Sequence, residues 1–123
     1  MSHTVLVCDD AKFMRVMILT ILTKAGWTVV GEAENGLQAV EKYKELGPDI
    51  VTMDMVMPEM GGIDALREIV KDDASARVVM CTAMGQDDLI AEAHALGASA
   101  VLLKPFTSEG LLKIMNKALE AED

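Results

Sequence analysis

Short apolar runs alternate with segments of helical periodicity along this chain. The apolar runs are rich in valine and continuously apolar, which is typical of strands that are covered on both faces of a parallel sheet. Five such runs predict five strands, at residues 4–8, 28–33, 50–53, 78–81 and 100–103.

Between the predicted strands, apolar residues recur at intervals of three and four, which places them along one face of a helix. The five stripes span residues 14–25, 37–46, 63–70, 89–96 and 111–119. Gly26, Gly47 and Gly97 follow three of the stripes, where a left-handed residue commonly ends a helix. Five strand–helix units with short connections predict an α/β fold, namely a doubly wound parallel sheet with helices on both faces.

One domain is expected to fill residues 1–123, because no linker, repeat or low-complexity tract interrupts the pattern. A composition of 51% hydrophobic and 25% charged residues is that of a globular protein. The acidic tail, residues 120–123, is expected to fray.

The net charge of −9 argues against a nucleic-acid partner or an anionic membrane surface, since both select basic proteins. No apolar run approaches the roughly 20 residues that a membrane span requires. Cys8 and Cys81 each end an apolar run, which is typical of buried, reduced thiols in a cytosolic protein. We therefore expect a cytoplasmic protein. We also expect it to act as a monomer.

Polar side chains follow four of the predicted strands, and ligands bind at the carboxyl ends of strands in such sheets. Asp9 and Asp10 follow the first strand, Asp54 the third, Thr82 the fourth and Lys104 the fifth. A helix cap with a first-turn acid would explain the first two acids, but not the third acid at the same edge. Three converging carboxylates require a cation, and hard oxygen ligands suit Mg²⁺ or Mn²⁺.

Beside a divalent ion, Asp54 is a candidate nucleophile, because its attack on phosphorus yields an aspartyl phosphate. Thr82 offers a hydroxyl donor and Lys104 a positive charge to the remaining phosphoryl oxygens. Taken singly, Thr82 could also be an ordinary residue at the end of a strand, and Lys104 an ordinary surface lysine. Gly61 and Gly62 are predicted to let the chain turn tightly before the third helix.

Together these positions resemble the receiver domain of two-component response regulators. The similarity lies in an Asp pair after strand one, an Asp after strand three followed by M-P-x-M-x-G, a Thr after strand four and a Lys-Pro-Phe after strand five. It covers about residues 5–119. The stretches DDAKFMR and GEAENG, residues 9–15 and 31–36, are most like those of chemotaxis regulators that consist of a receiver domain alone.

The resemblance implies a flavodoxin-like sheet with strand order 2-1-3-4-5. It implies that Asp54 accepts a phosphoryl group from a phosphohistidine of a sensor histidine kinase. It also implies that Asp10, Asp54 and the backbone carbonyl of Val56 bind Mg²⁺ directly, with Asp9 acting largely through water. The domain would then catalyse its own phosphorylation and dephosphorylation, as a switch more than as a turnover enzyme.

For the two remaining site residues, the resemblance implies that Lys104 pairs with the acceptor carboxylate and then with the phosphoryl group. Thr82 would move inward to hydrogen-bond a phosphoryl oxygen. Val101 departs from the family, which usually has an aromatic switch residue at that position. We therefore expect the output surface of the fourth helix, fifth strand and fifth helix to change through movement of residues 82–86. Pro105 suggests a cis peptide bond that aims Lys104 inward.

The implied function is a single-domain response regulator in chemotaxis or flagellar motor control, with a motor switch protein or a phosphatase as partner. The alternative is a phosphorelay intermediate or phosphate sink.

Other classes of protein fit the sequence less well. A haloacid-dehalogenase-type phosphatase needs a second Asp where Val56 stands, and the acids Asp9 and Asp10 would repel the phosphate of a flavodoxin ligand. A dinucleotide-binding fold needs G-x-G-x-x-G after a strand, which this sequence lacks.

Overall fold

The computed structural model describes residues 3–120, which form five parallel strands and five helices in strict alternation. The strands are β1 Thr4–Cys8, β2 Thr28–Ala33, β3 Ile50–Asp54, β4 Val78–Ala83 and β5 Ala100–Lys104. The helices are α1 Lys12–Lys24, α2 Gly36–Leu46, α3 Gly62–Asp72, α4 Asp87–Leu96 and α5 Ser108–Glu120. Of the tail that is expected to fray, residues 120–123, Glu120 is the last residue of α5, and residues 121–123 lie outside the described part.

The strand order is β2-β1-β3-β4-β5, so both the predicted fold class and the implied order are confirmed. Strands β3, β4 and β5 run slightly further than the apolar pattern indicates. Asp54 and Lys104 are therefore the last residues of β3 and β5, and Thr82 lies within β4. The register pairs Asp54 with Cys81 and Ala83 with Lys104, which brings the carboxyl ends of three strands together at one edge.

Each face of the sheet is covered by helices, as the continuously apolar strands predicted. Side chains of Leu6, Met53 and Met80 pack on the face that α2, α3 and α4 cover. Side chains of Val7 and Val79 pack on the opposite face, against α1 and α5. Because successive residues of a strand alternate between faces, this pattern also decides on which side of the sheet each strand-end side chain emerges.

Both cysteines are buried and unpaired, in agreement with the expectation of core thiols. Burial raises the pKa of Cys81 to about 12 and raises the pKa of Cys8 as well, so both stay protonated near neutral pH. Gly26, Gly47 and Gly97 all have positive φ at the helix ends where the sequence predicted them. Within residues 3–120, no helix is long and apolar enough to cross a membrane.

A partly buried hydrogen bond joins α2 to the segment after α3. The Tyr43 hydroxyl donates to Asp73 Oδ2 at 2.6 Å. Burial, and then this bond, raise the pKa of Tyr43 above its ordinary 10.0. The same bond holds the pKa of Asp73 below its ordinary 3.8. The pair therefore stabilises the fold most between these two values, losing its contribution as the pH falls through the pKa of Asp73 or rises through that of Tyr43.

We expect Tyr43→Phe to lower the free energy of unfolding by about 1 kcal/mol at neutral pH, because it deletes a hydrogen bond to a charged group. The difference from wild type should shrink below pH 3.8 and above pH 10.0. Urea denaturation across that pH range measures it. A penalty that stays constant over the whole range would contradict the assignment, because ring packing alone has no such pH dependence.

Candidate active site

Three carboxylates meet at the carboxyl edge of the sheet. Asp9, Asp10 and Asp54 each offer an oxygen, and these oxygens all lie within 4.8 Å of one another. Asp9 is buried, Asp54 is partly buried and Asp10 is exposed, so the cluster forms the floor and rim of an open crevice. Such a set of hard oxygen donors, open to solvent on one side, fits a divalent cation that keeps some of its water.

The position of Asp9 is determined by hydrogen bonds to both its backbone and its side chain. Its N–H donates to Ala33 O at 3.0 Å, and its Oδ1 accepts from the N–H of Ala11 at 2.9 Å. Ala11 is the N-cap of α1, and the first turn of that helix holds no acid. The simpler alternative of a helix cap with a first-turn acid is therefore wrong for Asp9 and Asp10.

A buried arginine supports the same residue. Arg15 Nη1 donates to the carbonyl of Asp9 at 2.7 Å, and its Nε donates to Glu32 Oε1 at 3.0 Å. Arg15 was not predicted as a site residue. A signal was present, since Arg15 lies three residues before Ile18 and seven before Leu22, on the buried stripe of α1.

Lys104 bridges two of the carboxylates. Its Nζ lies 3.0 Å from Asp54 Oδ1 and 3.1 Å from Asp9 Oδ2, with 20% of its side chain exposed. The alternation of side chains along the strands explains this, because Asp9, Asp54 and Lys104 all emerge on the face that α1 and α5 cover. The Lys104–Pro105 peptide bond is cis, as hypothesised.

The electrostatics of the cluster favour an added cation. Burial raises the pKa of Asp54, the hydrogen bond from Lys104 opposes that rise, and the charges of Asp9 and Asp10 add to it. For Lys104, burial acts to lower the pKa, but its bonds to Asp54 and Asp9 outweigh burial and the pKa is raised. One ammonium thus incompletely offsets three carboxylates, and a divalent ion would complete the neutralisation.

The start of α3, where the loop after β3 ends, packs against the backbone of Asp54. The N–H of Gly62 donates to Met55 O at 2.9 Å. A Cβ placed on Gly62 would stand 2.0 Å from the carbonyl oxygen of Asp54. Neither Gly61 nor Gly62 has positive φ, and the left-handed residue of this loop is Glu59 at φ 66. The prediction that the two glycines let the chain turn tightly is therefore corrected. Gly62 is needed because its backbone lies too close to the carbonyl of Asp54 for a side chain to fit.

The structure does not bring Thr82 into contact with the acids. Thr82 is buried, and within the described residues its hydroxyl donates to Gln86 Oε1 and weakly to Ala83 O at 3.3 Å. Gln86 is a second residue of the site that was not predicted. No periodicity or spacing marks it, because its side chain reaches back from the start of α4.

Three apolar residues lie close in sequence to the residues of this site. Val56, two residues after Asp54, has 58% of its surface exposed, and the role of its carbonyl as a metal ligand stays a prediction. Met84, two residues after Thr82, is 81% exposed. Val101 packs partly buried against the apolar layer that α2, α3 and α4 share with the sheet.

Comparisons with known proteins agree with this geometry. The sequence matches the family model described as the response regulator receiver domain over residues 5–116. It is 56% identical to the chemotaxis protein CheY of Bacillus subtilis (97% of this chain, 99% of the relative). It is 54% identical to CheY of Thermotoga maritima (95% and 98%).

Among solved structures, the crystal structure of the CheX-CheY-BeF3-Mg²⁺ complex from Borrelia burgdorferi contains a chain that superimposes with a TM-score of 0.92. The sequence identity is 33%, and the match covers 97% of this chain and 90% of that one. The strand order, the cluster of three acids with a bridging lysine, and the family match over most of the chain lead to one conclusion. This chain belongs to the response regulator receiver domain family.

Proposed function

We propose that this protein is a single-domain response regulator that accepts a phosphoryl group on Asp54. The observation that carries the proposal is the convergence of Asp54 with Asp9 and Asp10, together with the ammonium of Lys104 at 3.0 Å from the Asp54 carboxylate. Phosphoryl transfer demands alignment and charge neutralisation more than covalent help from the protein. A carboxylate that is held among an ammonium and a set of cation ligands meets both demands.

Asp9, Asp10, Asp54 and the carbonyl of Val56 would hold Mg²⁺, and Mn²⁺ suits the same donors. The bound ion would offset the repulsion between the Asp54 carboxylate and an incoming phosphate. Arg15 contributes by holding the backbone of Asp9 in place, and Gly62 by allowing the loop to pack on Asp54.

In the proposed reaction, a carboxylate oxygen of Asp54 forms a bond to phosphorus while the P–N bond to a kinase histidine breaks. The bonding electron pair goes to the imidazole. Lys104 then turns from the carboxylate to a phosphoryl oxygen, and Thr82 supplies a hydroxyl donor to another. Attack of water on phosphorus releases inorganic phosphate and restores the carboxylate. The protein is thus a switch that phosphorylates and dephosphorylates itself.

The biological setting that we propose is chemotaxis and control of the flagellar motor. Its support is the high identity to relatives named as chemotaxis proteins, each spanned almost completely by this chain. The proposed partners are a sensor histidine kinase and either a motor switch protein or a phosphatase, with the protein acting as a cytoplasmic monomer. The alternative of a phosphorelay intermediate or phosphate sink has no comparable support. It predicts onward phosphotransfer to a histidine phosphotransfer domain, whereas the preferred role predicts binding to a motor switch protein.

The test of the chemistry is intact-mass analysis after incubation with acetyl phosphate and Mg²⁺. We expect a gain of one phosphoryl group that is labile, as acyl phosphates are. Asp54→Asn should show no gain, since an amide is not a nucleophile toward phosphorus, and omission of the metal should reduce the gain at least tenfold. Asp64→Asn, which changes an exposed carboxylate on α3, serves as the matched control and should be phosphorylated normally. An equal gain in the Asp54→Asn variant would show that another residue is the acceptor.

A further inference from the structure

The side chain of Gln86 engages two donors at the carboxyl end of β4, the same edge of the sheet at which the candidate site lies. Gln86 is the N-cap residue of α4, yet its side chain makes no capping bond to that helix. Its Oε1 instead accepts from the N–H of Ala83 at 3.1 Å and from the hydroxyl of Thr82. One amide oxygen therefore accepts hydrogen bonds from a backbone N–H and from a side-chain hydroxyl at the same time.

The orientation of this amide follows from chemistry. The N–H of Ala83 can only donate, so the atom of Gln86 that faces it must be the oxygen and not the nitrogen. The Thr82 hydroxyl can rotate, and it donates to the same oxygen. Two donors that converge on one oxygen are the arrangement that a phosphoryl oxygen would also accept.

These donors lie at the edge of the sheet that carries the acids. Ala83 pairs with Lys104 across β4 and β5, and Lys104 Nζ contacts the Asp54 carboxylate at 3.0 Å. Cys81, directly before Thr82, pairs with Asp54 across β3 and β4. A movement of the carboxyl end of β4 together with the turn that follows it would therefore bring the donors of Thr82 and Ala83 toward a group attached to Asp54.

The segment between the donors and α4 is suited to such a movement. Met84 is 81% exposed and Gly85 has φ +90, so few packing contacts hold this turn. Because the Gln86 side chain does not cap α4, its release costs the helix no hydrogen bond. The exchange would replace bonds to a neutral amide oxygen by bonds to an anionic oxygen, which are stronger.

We propose that the Gln86 amide oxygen is an internal substitute for a phosphoryl oxygen. It is a positioning residue that keeps Thr82 and Ala83 engaged away from Asp54 until the phosphoryl group competes for both donors. This inference rests on the proposed function of the site. The contacts of Gln86 oppose the transfer of both donors to the phosphoryl group, and their strength sets how readily phosphorylation changes the conformation.

The test measures binding of beryllofluoride, a stable mimic of a phosphoryl group, in the presence of Mg²⁺. Gln86→Ala removes the competitor, and we expect an apparent affinity about fivefold higher than wild type, the equivalent of about one net hydrogen bond. In a Thr82→Ala background the gain from Gln86→Ala should shrink, because the main donor is absent. Gln38→Ala is the matched control, since Gln38 Oε1 also accepts a backbone N–H, from Glu34, but on α2.

A second measurement needs neither metal nor mimic. In the metal-free protein, the amide proton of Ala83 should exchange with solvent faster in Gln86→Ala than in wild type, and Gln38→Ala should leave it unchanged. Wild-type protein that binds no beryllofluoride would reject the proposed function itself. Wild type that binds normally, with Gln86→Ala binding equally or more weakly, would overturn the role of Gln86 alone.

Discussion

Gly62→Ala is expected to destabilise the protein by about 3 kcal/mol, although alanine favours helices more than glycine does. Gly62 is the first residue of α3, where the local preference predicts a gain in stability from alanine. The Cβ would however stand 2.0 Å from the carbonyl oxygen of Asp54 and 2.9 Å from its carbonyl carbon. Both are backbone atoms of a strand in the middle of the sheet, so they cannot move aside cheaply.

The same substitution should disturb the site, because any relief of the clash shifts the backbone of Asp54. We expect phosphoryl uptake from acetyl phosphate to fall at least tenfold in whatever fraction of the variant folds. Gly61→Ala is the matched control. Its Cβ meets nothing nearer than Met55 O at 3.3 Å, and its backbone is extended. Urea denaturation of the pair separates the effects, and equal stabilities would show that the loop relaxes freely around Gly62.

Lys104→Met is expected to have opposite effects on metal binding and on phosphoryl uptake. The ammonium of Lys104 lies about 3 Å from carboxylate oxygens of both Asp9 and Asp54, so it competes with a divalent ion for the same negative charge. Removal of that competing charge should raise Mg²⁺ affinity about tenfold, after allowance for solvent screening. Phosphoryl uptake should nevertheless fall at least tenfold, because the transferred group loses its cationic partner.

Isothermal titration calorimetry with Mg²⁺ and intact-mass time courses with acetyl phosphate measure the two effects. Lys71→Met is the control, since it makes the same change in net charge on an exposed part of α3. It should leave both quantities near wild type. Unchanged Mg²⁺ affinity in Lys104→Met would contradict the expected competition, and would mean that the ammonium withdraws from the acids at no cost.

The strands and helices could be predicted from the sequence because the apolar patterns that indicate them are local. A continuously apolar run such as β1 is covered on both faces wherever it lies in the sheet, and a stripe such as that of α3 has one buried face. The ends of the strands were less accurately predicted. Asp54 and Lys104 belong to β3 and β5 although they are charged, because their backbones continue the hydrogen-bonded ladder past the apolar run.

The site was predictable to the level of its acids and its lysine, because strand order and strand ends place Asp9, Asp54 and Lys104 at one edge. The supporting contacts were not. Arg15 and Gln86 act through long side chains whose direction no spacing rule determines. The roles of Asp54 as acceptor and of Val56 as ligand remain predictions that the phosphorylation experiment and metal titrations address.

The alternation of strands and helices, the parallel sheet, the residues at its carboxyl edge and the resemblance to one family can all be inferred from the order of residues along the chain. Which of these groups touch becomes visible only in the folded protein. Lys104 reaches Asp9 across 95 positions and Asp54 across 50, and Gly62 must lack a side chain because the carbonyl of Asp54 lies against it. The physical reason is that periodicity is set by neighbours along the chain, whereas a hydrogen bond or a clash depends on distances of about 3 Å between distant segments.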